Sequence, residues 1–468
     1  MPSGESASPW NTIDRRRFLQ IQAGLGAMLS CGSWATSSPL LASPVSAPLF
    51  RDLSVIFLFM HGGPSQYETF DPKMELPASM RSRTGEIPTS LPGITFGSTF
   101  QQLAKRAHLL NVVRSFVPGN GNHDIKPVMS KESLSANIGS LYSRAAGALR
   151  SDSAMPTNIM LYPSAVESDA GPPIKSFGDF ESSGDLGHAF APFVLGAGQG
   201  LQDDMRLHLS RDRLEDRRSL IRELDRLKHL SPIDRNLEGL DAFQQQAFDA
   251  LLRDVSAAFD LSKEEASLVA RYDTRSRFSV DRIDKKWNNH KHYVDHGTSI
   301  GKLLLLARRL CERGVGFVTL TTSFVWDMHA DINNAPVDEG MDYVGAPFDH
   351  AVATFIDDVE SRGLRDKILL VCCGEMGRTP KINAAGGRDH WGGLGPLLIY
   401  GGGTRGGQVI GRSSYDGGNP ATNPITIPDL IATILHRLLD IERVRLASGL
   451  PKNFLDLLGK GNPIRELG

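Results

Sequence analysis

The chain has 468 residues, of which 40% are hydrophobic and 22% are charged, which is the composition of a globular protein with ample material for a core. Its formal net charge of −2 gives no reason to expect a nucleic acid or an anionic membrane surface as a partner. Its four cysteines do not form the pattern of a disulfide framework.

The first segment has the order of features of an export signal. Residues 15–19 read Arg-Arg-Arg-Phe-Leu, which contains a twin-arginine pair, one further residue and then Phe-Leu. The mildly apolar stretch 21–35 that follows is too weak for a stable transmembrane helix. We therefore expect residues 1–48 to be a twin-arginine signal and linker, recognised by the twin-arginine export machinery, and a periplasmic or extracytoplasmic protein. A disordered basic N-terminus is the alternative.

Beyond the linker, continuous apolar runs predict strands that are buried on both faces. These runs cover residues 53–60, 109–116, 158–162, 315–321, 367–373 and 396–400. Helical patterns alternate with them at 300–313, 343–362 and 427–439. This alternation predicts an α/β fold with a large, mostly parallel sheet and helices on both faces. We expect residues 49–468 to form a single domain, with a charged helical insertion at about 201–290.

Ionisable and polar residues follow the predicted strands, where ligands bind to open parallel sheets. They are His61 and Glu68, then Ser115, Asn122 and His123, then Asp327 and His329, then Glu375 and Arg378, and finally Asp389 and His390. Carboxylates and imidazoles of this kind suit Zn, Mn, Fe, Mg or Ca. Converging carboxylates would repel one another without a cation, so a bound metal is the favoured interpretation.

Each of these motifs also has a purely structural interpretation. His61 could be a hydrogen-bonded residue of a tight turn, and residues 327–329 could form a plain loop. Glu375 and Arg378 could form a structural ion pair, and residues 388–390 could form a local salt bridge. Clusters of ionisable residues mark functional sites only statistically, so the residues alone leave these alternatives open.

Taken together, the motifs resemble the bacterial domain-of-unknown-function 1501 family, which is grouped with the alkaline phosphatase and sulfatase superfamily. The resemblance runs from about residue 53 to the C-terminus. Its motifs are His-Gly-Gly-Pro-Ser at 61–65, Trp-Asp-Met-His at 326–329, Gly-Glu-Met-Gly-Arg-Thr-Pro at 374–380 and Gly-Arg-Asp-His-Trp at 387–391. The run at 374–380 is the most specific of them.

The resemblance implies an alkaline phosphatase/sulfatase-like fold with a divalent metal, either Zn, Mn, Fe or Ca. The implied ligands are Asp327, His329 and His390 for one metal, with Asp389 beside them, and Glu375 with Glu68 or His61 for a second. By the same resemblance, Arg378 would hold an anionic group, and Asn122 and His123 match an Asn-His pair of the family. Ser115 is the best remaining hydroxyl for in-line attack on an ester.

This sequence departs from the family pattern in two places. Glu68 stands where relatives usually have Asp. Its extra methylene group displaces the carboxylate far enough to disturb a metal site. In the loop from 115 to 123, the His, Thr and Asp of relatives are missing, and Pro118 occupies the position expected for a nucleophile.

These observations lead to two main hypotheses. The first is an exported metal-dependent hydrolase that acts on sulfate or phosphate esters of small molecules or polysaccharides. The alternative is a catalytically inactive metal- or ligand-binding relative at the cell envelope. A purely structural envelope protein is a third and weaker hypothesis, because the ionisable residues are retained. The position of the loop 115–123 distinguishes the first two.

Overall fold

The structure, a computed structural model, describes residues 49–196 and 255–468. The strands of the described ranges are β1 (Ser54–Phe59), β2 (Glu86–Pro88), β3 (Thr95–Gly97), β4 (Leu110–Val113), β5 (Phe116–Val117), β6 (Asn158–Leu161), β7 (Phe193–Leu195), β8 (Phe317–Thr321), β9 (Ile368–Cys373), β10 (Gly377–Ile382), β11 (Arg388–Trp391), β12 (Leu397–Gly401), β13 (Gln408–Ile410) and β14 (Ile425–Thr426). The α-helices are α1 (Gln101–Lys105), α2 (Ile138–Ala146), α3 (Ala266–Tyr272), α4 (His290–Glu312), α5 (Val337–Ser361), α6 (Ile427–Leu438), α7 (Ile441–Leu446) and α8 (Lys452–Leu457). Short 3₁₀ turns connect several of these elements.

Eight strands form one central sheet in the order β13-β4-β12-β9-β1-β8-β6-β7. Neighbouring strands run parallel except β12, which is antiparallel to both β4 and β9. β1 lies in the middle, paired with β8 on one side and with β9 on the other. The predicted α/β fold with a large, mostly parallel sheet is confirmed.

Hydrophobic side chains cover both faces of the sheet, because successive residues of a strand point to opposite sides. Ile56 and Leu58 of β1 belong to one apolar core, which includes the inner faces of α4 and α5. Val55 and Phe57 belong to a second core, which includes α2 and α6. The central strands are therefore buried on both faces, as their continuous apolar sequences predict.

The orientation of β12 differs from the simple parallel pattern. Between β9 and β12 the chain forms a two-stranded antiparallel hairpin, β10–β11, and no helix crosses the sheet. The chain consequently enters β12 from the edge at which β9 ended and runs in the opposite direction. A parallel partner would have required a crossover connection of a dozen or more residues.

Helix α4 begins at His290, ten residues before the predicted start at residue 300, and contains two glycines, Gly297 and Gly301. A Cβ atom at Gly297 would lie 2.1 Å from the ring of Phe278, and one at Gly301 would lie 1.8 Å from the carbonyl oxygen of Tyr272. Both glycines therefore serve close packing against the segment that precedes the helix. Tertiary contacts compensate for the lower helix propensity of glycine.

Two predictions fall wholly or partly on residues outside the described ranges. The export signal at 1–48 lies outside them, as does the larger part of the helical insertion at 201–290. The domain division and the export signal therefore stay predictions. Among residues 49–196 and 255–468, none of the helices has the length and apolar content needed to cross a membrane.

Candidate metal centre

The carboxyl ends of β1, β8 and β9 meet at one edge of the central sheet. The turn after β1 packs against the segment after β8, where the carbonyl group of His61 accepts hydrogen bonds of 3.1 Å from Val325 N and Trp326 N. Gly62 has φ +114°, and a Cβ atom there would lie 2.6 Å from the backbone nitrogen of Asp327. Any side chain at Gly62 would displace Asp327, so this glycine allows the close approach.

Three imidazoles converge on one carboxylate oxygen at this edge. His329 Nε2, His390 Nε2 and His123 Nε2 lie 3.0, 3.4 and 3.5 Å from Asp327 Oδ1. His123, Asp327 and His390 each offer a ligand atom, and these atoms all lie within 4.8 Å of one another. We refer to His123, Asp327, His329 and His390 as the His/Asp cluster. His123 comes from the loop between β5 and α2, and His390 comes from β11.

The side chains of the His/Asp cluster fit a divalent metal. His390 Nε2 is buried and forms no well-aligned hydrogen bond in the described chain. A buried polar atom of this kind usually has a partner, which can be a protein group, an ordered water or an ion. Three imidazoles and one carboxylate are donors that Zn, Mn or Fe accepts readily, whereas Ca prefers an oxygen shell.

Asp327 is held as an anion by its surroundings. Burial would raise the pKa of the Asp327 carboxyl, but Arg378 and the three imidazoles outweigh burial and hold this pKa well below its usual range. Arg378 Nη2 lies 2.6 Å from Oδ1, and Asn334 Nδ2 donates to Oδ2 at 3.2 Å. One lone-pair face of Oδ1 therefore remains directed toward the imidazoles.

Arg378 contacts protein atoms with each part of its guanidinium group. Nε donates to Gly63 O at 2.8 Å, Nη1 donates to Arg388 O at 3.1 Å, and Nη2 bonds both to Gly62 O and to Asp327. The residue is only 2% exposed. In this structure Arg378 joins the turn after β1 to the His/Asp cluster. Its predicted contact with an anionic group remains a prediction.

Glu375 contacts His123 of the cluster and the turn after β1. Its Oε1 lies 2.8 Å from His123 Nδ1 and accepts a 3.0 Å hydrogen bond from Gly62 N. Burial lowers the pKa of His123, but hydrogen bonds to Asp327 and Glu375 outweigh burial and raise it. If Nδ1 carries the proton that Glu375 accepts, Nε2 is left to face the cluster. A carboxylate that orients a metal-binding histidine is a recurring second-layer arrangement in metal sites.

Glu68 lies in a different contact network, although the sequence suggested it as a ligand. Its carboxylate accepts from Arg388 Nε and Nη2, both at 3.1 Å, from Arg83 N at 3.2 Å and from Ser65 Oγ. Glu68 and Arg388 are both fully buried. The structure therefore places Glu68 in a buried ion pair and does not bring it into the His/Asp cluster.

His61 is buried beside the cluster, among aromatic rings. Its ring contacts Phe59, Phe180 and Phe324, with centroid distances of 5.4, 5.7 and 5.0 Å. Burial lowers the pKa of His61 to about 4, so the imidazole is neutral near pH 7. The ring of Phe324 contacts the rings of both His61 and His123. His61 is not among the residues whose ligand atoms lie within 4.8 Å of one another at Asp327.

Two further predicted residues lie at the surface of the site. Asp389 is 60% exposed in its side chain, and its Oδ1 lies 3.3 Å from His329 Nδ1 and 3.2 Å from Asn383 Nδ2. Asp389 thus contacts the outer nitrogen of His329. Asn122 is exposed, and its carbonyl oxygen accepts a 2.9 Å hydrogen bond from Lys126 Nζ. Neither side chain belongs to the group within 4.8 Å around Asp327.

Ser115, the predicted hydroxyl group for ester attack, is completely buried. Its Oγ has no hydrogen-bond partner in the part of the chain that the structure describes. The hydroxyl packs against Gly411, where a Cβ atom would lie 2.2 Å away. Ser115 O accepts a 2.9 Å hydrogen bond from Ile425 N, at the start of β14. These contacts are those of a packing residue, and the role of Ser115 in attack stays a prediction.

Sequence reasoning did not single out two residues that contact the site, Asn334 and Lys126. Asn334, which follows Asp327 by seven residues, donates a hydrogen bond to its carboxylate. Lys126 donates a hydrogen bond to Asn122 O, in the loop that carries His123. Asn334 is one of two adjacent asparagines, which indicate only a loop. Lys126 follows a Gly/Asn-rich stretch and gives no ligand pattern, so neither could have been selected from the sequence.

A family model described as "Protein of unknown function (DUF1501)" matches residues 52–467. The chain belongs to this family. The match covers nearly the whole described structure and includes every residue of the His/Asp cluster. The resemblance noted from the sequence motifs is therefore confirmed. No curated protein matches this member of the DUF1501 family.

Several solved structures show a distant likeness to the DUF1501 chain. The PsFucS1 sulfatase from Pseudoalteromonas sp. is 10% identical, with a TM-score of 0.36, and the match covers 83% of this chain and 68% of that one. The phosphonate monoester hydrolase SpPMH from Silicibacter pomeroyi is 11% identical, with a TM-score of 0.31 and coverage of 88% and 76%. At these values the function has to be argued from the site itself.

Proposed function

We propose that this DUF1501 protein is a divalent-metal-dependent hydrolase of anionic esters, of the sulfate or phosphate type. The observation that carries the proposal is the convergence of His123, His329 and His390 on Asp327 Oδ1 at the carboxyl edge of a parallel sheet. Polar residues at this edge are where open α/β sheets bind ligands. The retained alkaline phosphatase/sulfatase-like motifs agree with this reaction class.

Charge supports an anionic substrate. The carboxylates of Asp327 and Glu375 carry two negative charges beside the single positive charge of Arg378. Among these buried groups, a divalent cation in the His/Asp cluster would turn the excess of negative charge into a positive one, while the charge of Asp389 beside His329 is 60% exposed and screened by solvent. A sulfate or phosphate ester would then be attracted to the site rather than repelled from it.

The residues of the chain have separate tasks in this proposal. His123, Asp327 and His390 hold the cation, and Glu375 fixes the orientation of the His123 ring. A bound divalent cation supplies Lewis acidity, which polarises an ester oxygen and favours ionisation of water. Arg378 keeps Asp327 anionic and in place, because its guanidinium group is itself held by backbone carbonyl groups.

One observation favours a second candidate function, which is metal or ligand binding without turnover. Ser115 is fully buried and its hydroxyl makes no contact with the His/Asp cluster through a hydrogen bond. Pro118 follows three residues later, in the loop where relatives carry polar residues. If no hydroxyl group of the chain reaches the ester, the protein would retain the metal and bind an anionic ligand.

The deciding experiment measures metal content and hydrolysis together. The purified protein would be reconstituted with Zn, Mn, Fe or Ca, analysed for bound metal, and assayed with aryl sulfate and aryl phosphate esters. His390→Ala should lose the metal and the activity. His436→Ala is the control, because His436 is a partly buried histidine of α6 that does not belong to the His/Asp cluster. It should lose neither the metal nor the activity.

Each result has a distinct meaning. Bound metal with ester hydrolysis supports the hydrolase, and bound metal without hydrolysis of any tested ester supports the binding protein. Absence of bound metal in the wild-type protein after reconstitution would contradict both candidates.

We also propose that the protein acts outside the cytoplasm, on the basis of the twin-arginine pattern at residues 15–19. The twin-arginine route carries proteins that are already folded, which suits a chain that acquires a metal before export. Polysaccharide esters, as well as small ones, would be accessible to it there.

A further inference from the structure

The loop 119–124 carries His123 and packs against the hairpin that carries His390. Gly119 N donates a 3.1 Å hydrogen bond to Gly392 O in the hairpin. A Cβ atom at Gly121 would lie 3.1 Å from the Cβ atom of His390. His123 and His390 therefore approach each other because the two backbones are in contact.

Local sequence does little to fix this loop. It reads Gly-Asn-Gly-Asn-His-Asp, and glycine has the largest conformational freedom of all residues. The bond from Gly119 to Gly392 is a backbone–backbone hydrogen bond to the hairpin, and the loop has no regular secondary structure. Ordering such a segment costs conformational entropy at every residue. A side chain must supply much of the compensating interaction.

Lys126 makes that interaction. Its Nζ donates to Asn120 Oδ1 at 2.9 Å, to Asn122 O at 2.9 Å and to the carboxylate of Asp124. Three acceptors match the three donors of an ammonium group. The residue is only 4% exposed, which is unusual for lysine. Asn120 Oδ1 also accepts a 2.9 Å hydrogen bond from Asn122 N, so the loop closes around Nζ.

All three acceptors flank His123 in the chain, one after it and two before it. An ammonium group that binds all three holds the backbone on both sides of the ligand. The buried charge is in turn compensated by these oxygens, as a buried ion requires. The arrangement links the position of His123 directly to Lys126, without any contact between Lys126 and the metal-binding nitrogens.

We propose that Lys126 is a positioning residue of the metal centre, which clamps the loop 119–124 so that His123 and His390 reach the same cation. This inference rests on the proposed function, because it assigns a residue to the metal site of that proposal. The ammonium group of Lys126 bonds to the loop itself, through Asn120, Asn122 and Asp124. Its effect on the site passes through the loop backbone, and metal affinity is the property that it controls.

The experiment titrates the metal-free full chain with Co²⁺, whose visible absorption reports the coordination geometry. Lys126→Met keeps the length of the side chain and removes its charge and donors. We expect its Co²⁺ affinity to fall by about 10- to 100-fold, the usual effect of removing a supporting contact in a metal site, with a changed absorption spectrum. Lys131→Met, at a lysine that is 91% exposed in its side chain, is the matched control and should titrate like the wild type.

A second variant covers the case in which Lys126→Met does not fold. Asn120→Ala removes one acceptor and should give a smaller loss of Co²⁺ affinity in the same direction, with the far-ultraviolet circular dichroism of the wild type. Wild-type affinity and spectrum in folded Lys126→Met, or in Asn120→Ala if the first variant is unfolded, would overturn the positioning role alone. Failure of the wild-type protein to bind Co²⁺ would overturn both this role and the proposed function.

Discussion

The buried pair of Glu68 and Arg388 gives a prediction that separates a structural carboxylate from a metal ligand. Both oxygens of Glu68 are occupied by hydrogen bonds, three of which come from Arg388 at 3.1 to 3.3 Å. Arg388 also donates to the carbonyl groups of Pro380 and Met80 at 2.6 and 2.8 Å. The pair therefore fixes the β10–β11 hairpin against the segment after β1.

Glu68→Gln keeps the shape of the side chain and removes its charge. The guanidinium group of Arg388 then remains buried without a counter-charge, and the new amide group directs hydrogens toward existing donors. Loss of one partner from a buried ion pair typically destabilises a protein by about 3 to 5 kcal/mol. No discount for solvent screening applies, because both side chains are at most 1% exposed. We therefore expect a decrease of about that size in the free energy of unfolding.

The assay is equilibrium unfolding in urea of metal-free protein, combined with the metal stoichiometry of the folded variant at saturating metal. Glu68→Gln should lose stability and keep its metal. Glu86→Gln, at an exposed position of β2, is the control and should change the free energy of unfolding by less than about 0.5 kcal/mol. Wild-type stability together with loss of the metal would refute this reasoning and make Glu68 a ligand.

Three further predictions concern other parts of the molecule. Glu375→Gln should weaken metal binding by about 10- to 100-fold in a competition titration, since it weakens the support of the His123 ring, and unchanged affinity would contradict that support. Burial raises the pKa of Asp349 to about 6. This folded-state pKa exceeds the usual value of 3.8, so the protonated Asp349 carboxyl favours the folded state. Its contribution to the free energy of unfolding is full below pH 4 and is lost as the pH rises through about 6. The total loss is about 3 kcal/mol. Urea unfolding at pH 4 and pH 7 should show this loss in the wild type and not in Asp349→Asn, and equal pH dependence would refute it. Replacing both arginines at 15 and 16 by lysine should retain the protein in the cytoplasm on cell fractionation, whereas unchanged export would exclude the twin-arginine route.

The sequence predicted the central strands well because each is buried on both faces. The run at 53–60 contains β1, and the run at 367–373 contains β9 almost to the residue. Such runs carry no information about direction, so the prediction of a mostly parallel sheet did not identify β12 as the antiparallel strand. Its reversal follows from the β10–β11 hairpin, whose sequence contains no long apolar run.

The sequence also predicted that polar residues would meet at the strand ends, but it could not assign them to separate networks. His123 was predicted from an Asn-His pair of the family and not as a metal ligand, whereas the structure groups it with Asp327 and His390. The deciding contacts join residues that are far apart in the chain. Glu375 bonds to Gly62 across 313 residues, and Glu68 bonds to Arg388 across 320. The spacing of residues within one motif does not indicate which residues of a distant motif they contact.

Three buried carboxylates near the site differ in what already occupies their oxygens, and this difference decides which of them can hold a cation. Glu68 is saturated by Arg388 and backbone groups, so a metal there would have to displace a buried guanidinium group. Glu375 accepts from Gly62 and contacts His123 Nδ1, so in this structure its contact with the cluster passes through the His123 ring. Asp327 alone among the three presents an oxygen to several imidazole nitrogens. Arg378 holds that carboxylate ionised from one side, which leaves its other side as the position where the chain can bind a metal most readily.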